Sequence, residues 1–198
     1  MTPELPHILA ACRRRERTAE RALYQRYAPR VLTLCRRYAR DESEAMDFLQ
    51  ECWILLFDKL AAYQPEKGHF EGWLHRLCTN RVLDLLRRQK RLPHTLELVA
   101  SMDTADATYD DAVEPAWSVY SPETLLAAIR ALPEGYRQVL NLAVFEGWSH
   151  AAIGEQLGIS ASSSRSQLTR ARRALRGLLE SAAFNHQGTT SNASKLAG

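Results

Sequence analysis

Apolar residues recur three and four apart through the first half of this chain, and no stretch shows the period-two alternation of a half-buried strand. That spacing confines the fold to packed helices. Leu23, Tyr27, Val31, Leu34 and Tyr38 give one helix an apolar face. Pro29 falls inside that pattern and predicts a kink, or a break between two helices. Asp41 and Ser43 are candidate starts for the next helix, about 44–60, with Phe48, Cys52, Leu55 and Leu56 on its buried side. Residues 63–68, which include Pro65 and Gly68, read as a turn. A further helix over 70–88 offers Trp73, Leu77, Val82, Leu85 and Leu86 to the core.

The expected fold is all-alpha, with two helical domains joined by a flexible acidic linker. The boundaries read as 7–92 for the first domain and 93–120 for the linker, then 121–183 for the second domain and 184–198 for a disordered tail. Within the linker, Trp117 and Tyr120 are candidates for one short ordered contact. In the second domain Ser121, Pro122 and Glu123 suit a helix start, with a hydroxyl cap, a first-turn proline and an acid at the positive helix end. Leu132 and Pro133 end that helix and open another through Phe145, and Gly147 breaks it.

A formal net charge of +3 does not by itself point to nucleic acid, but the distribution of charge is informative. Residues 81–91 carry Arg81, Arg87, Arg88, Lys90 and Arg91 against Asp84 alone. Residues 101–123 hold six acids and no Lys or Arg, and residues 165–176 hold five arginines and no acid. Two basic elements separated by an acidic one suggest two anion-facing surfaces.

Chemistry of other kinds finds little support. Cys12, Cys35, Cys52 and Cys78 lie far apart in helical patterns and read as small buried hydrophobes, neither a zinc motif nor a disulfide framework. The six histidines form no close ligand motif, His75 and His150 reading as helix-surface residues, and the serines form no nucleophile elbow. An enzyme is therefore not expected, nor is a metal or cofactor. The N-terminus lacks a signal-peptide apolar region, and no apolar run approaches a membrane span. A cytoplasmic protein without membrane insertion is the expectation.

The sharpest local signal lies in residues 148–176, which read as a helix-turn-helix. Ser149 can cap a helix through Ile153 and Leu157; Gly158 permits the tight turn; Ser160 can cap the second helix. Leu168, Ala171, Leu175 and Leu178 can pack inward. Ser162, Ser163, Arg165, Ser166 and Gln167 occupy the first turns, with Arg170 and Arg172 beyond, where such a helix meets bases and phosphates in a major groove. A basic solvated helix would share the arginines, but the glycine turn with a cap on each side favours DNA binding. In the first domain Phe70 and Trp73 adjoin the basic helix after Asn80. They can stack on unpaired bases, or they can be core aromatics at helical spacing.

Three motifs in order make the chain resemble the small two-domain sigma factors of bacterial RNA polymerase, the extracytoplasmic function (ECF) group of the sigma-70 family. The first spans Asp41, Glu44, Ala45, Asp47, Gln50, Glu51 and Trp53. It is similar to the region 2 helix that docks on polymerase, which implies that Asp47, Gln50 and Glu51 face core RNA polymerase while Trp53 packs. The second spans Tyr63, Pro65, Gly68, Phe70, Gly72, Trp73 and Arg76, then Asn80, Asp84, Arg87 and Arg88. It resembles the loop and helix that melt the −10 promoter element, and it assigns that role to Phe70, Trp73, Asn80, Arg81, Arg87 and Arg88, with Asp84 able to orient neighbouring cations. The third runs from Leu132, Pro133, Arg137, Val139 and Leu142 through Glu146, Gly147, Trp148, Ser149, Ile153, Gly154, Leu157 and Gly158 to Ile159. It continues through Ser160, Ser163, Arg165, Ser166, Leu168, Arg170, Ala171, Arg172 and Leu175. It is close to region 4, a helix-turn-helix (winged-helix-like) reader of the −35 element.

The chain departs from that pattern at Ser164, where the family usually has a β-branched apolar residue, and at Gly154, where it usually has Ala. Both substitutions are expected to weaken the local core, although a serine at 164 can bond back to helix carbonyls. The resemblance implies promoter DNA and core RNA polymerase as partners, an anti-sigma factor as a regulator, and an acidic linker threading toward the polymerase channel for RNA. Two other readings are a stand-alone helix-turn-helix regulator, which would leave the surface of Asp47, Gln50 and Glu51 unexplained, and a sigma mimic that sequesters an anti-sigma factor.

Overall fold

The computed structural model describes residues 4–91 and 117–193. Every regular element among them is helical, and the chain divides into two compact units, residues 1–100 and 101–198. The greater part of the acidic linker, 93–116, lies outside the described residues.

The first unit packs four helices: α1 (Leu5–Arg13), α2 (Arg17–Tyr38), α3 (Glu42–Lys59) and α4 (Phe70–Arg91). Pro29 does not break α2, which is continuous across it. An interior proline costs about 3 kcal/mol, whereas full burial of a large apolar side chain gains about 1.5–3 kcal/mol. Leu23, Tyr27, Val31, Leu34 and Tyr38 are all buried along this helix, so packing outweighs the proline. Helix α3 begins where the sequence places its cap: the Asp41 carboxylate accepts the Glu44 amide at 2.8 Å. Glu44 reaches back to accept the Arg40 amide at 2.6 Å, which satisfies a second free donor at the helix start. All four cysteines are free and buried among these helices. Hydrogen bonding to Cys52 and burial push the Cys35 and Cys78 thiols far up, and burial first and Glu20 second raise Cys12 to about 11.

The second unit holds α5 (Pro122–Ala131), α6 (Glu134–Leu140), α7 (His150–Leu157) and α8 (Ala161–Ala193). Ser121 caps α5 through the Thr124 amide at 3.1 Å. A single π turn, Asn141–Phe145, prolongs α6 to the break at Gly147, whose φ of 66° suits glycine. Trp117 makes the one ordered contact expected before α5, its ring centroid lying 6.4 Å from that of Phe145. Ile129, Leu140, Leu142, Ile153, Leu175 and Leu179 fill the core.

No strand occurs among the described residues, and those of the second unit form the expected helix-turn-helix. One sequence expectation changes here. The tail read as disordered from residue 184 is helical to Ala193, because an established helix propagates at one hydrogen bond per added residue. Residues 194–198 lie outside the described set. No helix among the described residues is long and apolar enough to cross a membrane, and no group of three or more His, Cys, Asp or Glu among them is placed to hold a metal ion.

Candidate polymerase and nucleic-acid interfaces

Helix α3 buries Ala45, Phe48, Leu49, Cys52 and Leu56, which turns Asp47 and Gln50 outward on the opposite face. Met46 and Ile54 stand on that same face, 47% and 58% exposed. Two large apolar side chains thus stand in water beside two polar ones. The sequence reading missed Met46 and Ile54, although both fall out of register with the buried set. Glu51 differs from its neighbours: it is half-buried, and its carboxylate forms an ion pair with the Arg81 guanidinium on α4. Its place is thus a tie between α3 and α4, not an open docking surface. Trp53 is buried, as expected, and stacks between Tyr24 and Phe57 at centroid distances of 4.8 and 5.6 Å.

The loop between α3 and α4 is stiff. Tyr63 donates its hydroxyl to the Gly68 carbonyl at 3.1 Å, and the Arg13 guanidinium donates to the Tyr63 carbonyl at 2.7 Å. Gly68 has φ 143°, a value that side-chain-bearing residues rarely adopt. Phe70, the first residue of α4, is 2% exposed, its ring centroid 5.3 Å from both Tyr27 and Tyr63. The expectation of base stacking by Phe70 is therefore corrected: its ring is the hydrophobic plug under the loop, and the surface belongs to Gln64, Lys67 and His69. Trp73 is half-buried beside Tyr63 at 5.3 Å and keeps part of its surface in water.

Beyond Trp73, helical spacing places Arg76, Asn80, Asp84 and Arg87 along one face of α4. Asn80, Arg87 and Arg88 are exposed, and Asp84 orients Arg87 through a 2.9 Å ion pair. Arg81 is the exception among the predicted DNA contacts. It is half-buried and engaged by Glu51, so it steadies the helix from behind. Arg76 was quoted in the motif but not singled out, and its position on the Asn80 face was its signal. At the head of α4 the Tyr27 hydroxyl donates to Glu71 at 2.7 Å. Burial, then that hydrogen bond, raises Tyr27 to about 12, and the same bond holds Glu71 below the usual carboxylate range.

In the second unit the helix-turn-helix has the expected construction. The Ser149 hydroxyl accepts the Ala152 amide at 3.2 Å, Gly158 ends α7 at φ 70°, and the Ser160 hydroxyl accepts the Ser163 amide at 3.0 Å. Ser162, Ser163, Arg165, Ser166 and Arg170 are exposed at the start of α8, while Arg172 is half-buried. Arg173, one of the five arginines of residues 165–176, is exposed and continues the Ser162 and Ser166 row. Gln167 turns aside: its side-chain oxygen would lie 3.6 Å from a Cβ on Gly135 of α6, so it leans on α6. Leu168, Ala171 and Leu175 pack inward as expected; Leu179 is buried more deeply than Leu178.

The two departures have distinct structural meanings. A Cβ on Gly154 would lie 2.6 Å from the Ile159 carbonyl, so the missing side chain lets the turn close against α7. Glycine fits this turn; it does not leave a weak spot. Ser164 has no exposed surface and lies 2.9 Å from the His150 ring nitrogen Nδ1, a partner on α7 instead of a carbonyl of its own helix. His150, expected on the surface, is half-buried by this contact.

Comparison with known proteins follows the same division. The sigma-70 region 2 family matches residues 23–92, and the sigma-70 region 4 family matches residues 123–175. Together the two matches take in more than half of the chain. Over 163 residues the chain is 36% identical to the ECF RNA polymerase sigma factor SigE of Mycolicibacterium smegmatis, covering 79% of this chain and 60% of that relative. It is 28% identical to RNA polymerase sigma factor SigZ of Bacillus subtilis, covering 80% and 85%, and 27% identical to ECF RNA polymerase sigma factor SigM of the same organism, covering 79% and 92%. Among solved structures, the sigma factor RpoE in complex with the anti-sigma factor NepR, from Bartonella quintana, shares the fold at 17% identity and TM-score 0.50, covering 81% of this chain and 96% of that one.

Proposed function

The chain belongs to the sigma-70 family as an ECF-type sigma factor that binds core RNA polymerase and promoter DNA, and from that premise we propose how its residues divide the work. The action is binding, not covalent chemistry. Residues 7–92 act as region 2 and residues 121–183 as region 4, with 93–120 as a linker between them.

The face of α3 that carries Asp47 and Gln50 docks on core polymerase, and Met46 and Ile54 supply its apolar contact. Glu51 contributes by holding Arg81 and thereby the angle of α4. Asn80, Arg87, Arg88 and the exposed edge of Trp73 meet the separated strand of the −10 element, with Phe70 and Arg81 positioning them from below. Ser162, Ser163, Arg165 and Ser166 read the −35 duplex in the major groove, and Arg170 and Arg172 hold its phosphates; Gln167 contributes through α6. Each contact alone is weak, and polymerase makes the two intramolecular. An anti-sigma factor is a further proposed partner. The exposed Met46 and Ile54 support it, because a free sigma factor with an apolar docking face gains from a cover, and the Bartonella quintana relative was solved with such a partner.

The observation that carries this reading is the capped, exposed start of α8 in the unit matched by region 4, on the same chain as the α3 face matched by region 2. The test is in vitro transcription with core polymerase over genomic promoter fragments. Specific transcripts should appear, and should be lost in Arg165→Ala or in Asp47→Ala/Gln50→Ala. Tight sequence-specific binding by the protein alone, without transcripts, would replace the proposal with a stand-alone regulator.

A further inference from the structure

The first unit carries cations that neither the −10 helix nor the polymerase face accounts for. Arg26 and Arg30 are exposed on α2 at i and i+4, so their side chains are neighbours. Arg30 lines a groove of about 160 Å³ between α2 and α4, together with Tyr27, Val31, Glu71, Leu74 and His75. Arg26 lies over the Tyr27 ring, 5.6 Å from its centroid, at the same groove. The one acid in the lining, Glu71, already accepts the Tyr27 hydroxyl at 2.7 Å. Glu71 directly follows Phe70, so the groove opens where the loop of residues 63–69 ends.

We propose that Arg26 and Arg30 form a phosphate clamp for the separated DNA strand as it leaves that loop. Arginine's planar fork binds phosphate oxygens two at a time, and two forks one helical turn apart can hold neighbouring phosphates. The partner is a nucleic-acid backbone because the groove mouth adjoins, at Glu71, the loop of residues 63–69 that the family resemblance assigns with α4 to the −10 strand. The clamp rests on that reading, and it sits beside the first turns of α4 on the flank away from Asn80 and Arg87, where α2 meets the end of the loop. It carries no base preference, since phosphate contacts position a strand without reading it.

The experiment uses the holoenzyme reconstituted from the full chain and core polymerase. The probe is a single-stranded oligonucleotide bearing the non-template −10 strand of a promoter selected from genomic fragments. Affinity is measured against salt for the wild type, Arg26→Gln/Arg30→Gln and Arg26→Lys/Arg30→Lys. Each lost single-strand phosphate contact should lower the slope of log affinity against log salt by about 0.7, so the Gln pair should lose about 1.4 and bind roughly tenfold more weakly at 0.15 M salt. The Lys pair should keep the slope. Assembly with polymerase and binding to a −35 duplex should match the wild type in both pairs. An unchanged slope in the Gln pair, with wild-type capture intact, overturns the clamp alone. A wild type that captures no strand overturns the clamp and the −10 reading together. A Gln pair that loses polymerase affinity at unchanged slope assigns the patch to a protein partner and overturns the clamp.

Discussion

Helices α4 and α8, proposed to meet the −10 and −35 elements, are held in opposite ways. Helix α4 starts on a buried aromatic plug, with Phe70 wedged against Tyr27 and Tyr63, and Arg81 on its flank is turned inward to Glu51. Helix α8 starts on small residues, with Gly154 admitting the turn, Ser160 capping and Ser164 hydrogen-bonded beneath. Volume fixes the first helix; close backbone approach and directed hydrogen bonds fix the second. A strand-melting surface must hold its shape while bases are pulled from a stack, which costs a few kcal/mol per base. A groove-reading helix needs an exposed, correctly angled first turn. Under the proposed roles, the difference in construction matches the difference in load.

The largest expected effect tests the aromatic side of that contrast. Phe70→Ala should destabilise the first unit by about 3–5 kcal/mol, as loss of a buried Phe does, and leave the second unit's melting unchanged. Urea unfolding followed by residue-resolved NMR separates the two units. A loss of −10 strand binding with less than about 1 kcal/mol of destabilisation would return Phe70 to a base-stacking role and break the comparison.

The next effect tests the close approach. Gly154→Ala would raise helix propensity by up to about 1 kcal/mol in open space. Here the new Cβ meets the Ile159 carbonyl, a backbone atom, and forced overpacking costs about 1–3 kcal/mol. The second unit should therefore lose stability and −35 affinity together. A stabilised Gly154→Ala protein would mean that the turn relaxes freely, and the contrast with α4 would fade.

These two residues also mark what the sequence could and could not disclose. Helix periods, the Asp41, Ser121, Ser149 and Ser160 caps and the Gly158 turn were legible because each depends on local spacing and backbone chemistry. The outward face of α8 was legible for the same reason. The role of Phe70 was not, since an aromatic beside a basic helix has the same pattern whether it faces a base or Tyr27. The engagement of Arg81 by Glu51 joins residues 30 apart in sequence, and no local pattern encodes it. Gly154 read as a defect because its neighbour across the turn, the Ile159 carbonyl, is defined only by the fold. Pro29 read as a kink or a break because its cost is local, while the burial that keeps the helix continuous is tertiary.

A third effect depends on pH and belongs to the first unit. Glu44 is buried, which raises its pKa, but hydrogen bonds from the Arg40 side chain and amide outweigh burial, and Arg40's charge and Gln89 add to them. Its pKa is held below the usual carboxylate range. A group with a depressed folded pKa contributes stability above its unfolded pKa and loses it as pH falls through the folded value. Glu44→Gln should cost about 1–2 kcal/mol at pH 7. The cost should shrink as pH drops below about 4.5, the unfolded range of a glutamate. Denaturant titrations of the first unit at a series of pH values check it, and a cost independent of pH would remove the ionised Glu44 from the account.

The smallest effect bears on the hydrogen-bonded side most directly. Ser164 and His150 join α8 to α7 through a single contact at 2.9 Å, and the serine has no exposed surface. Ser164→Ala keeps the packing volume nearly constant and removes only the hydroxyl, so about 0.5–1.5 kcal/mol of second-unit stability should go. His150→Ala alone removes packing as well, and the double variant isolates the pair. A coupling of about 0.5 kcal/mol or more in the cycle assigns the loss to the bond itself. Ser164→Val offers the β-branched filling usual in the family, yet it leaves the His150 nitrogen facing carbon, so it should not recover the lost stability even though it adds apolar surface. If Ser164→Val instead exceeds the wild type in stability and binds the −35 duplex equally well, burial governs α8 as it governs α4. The two helices would then differ only in which side chains fill the space beneath them.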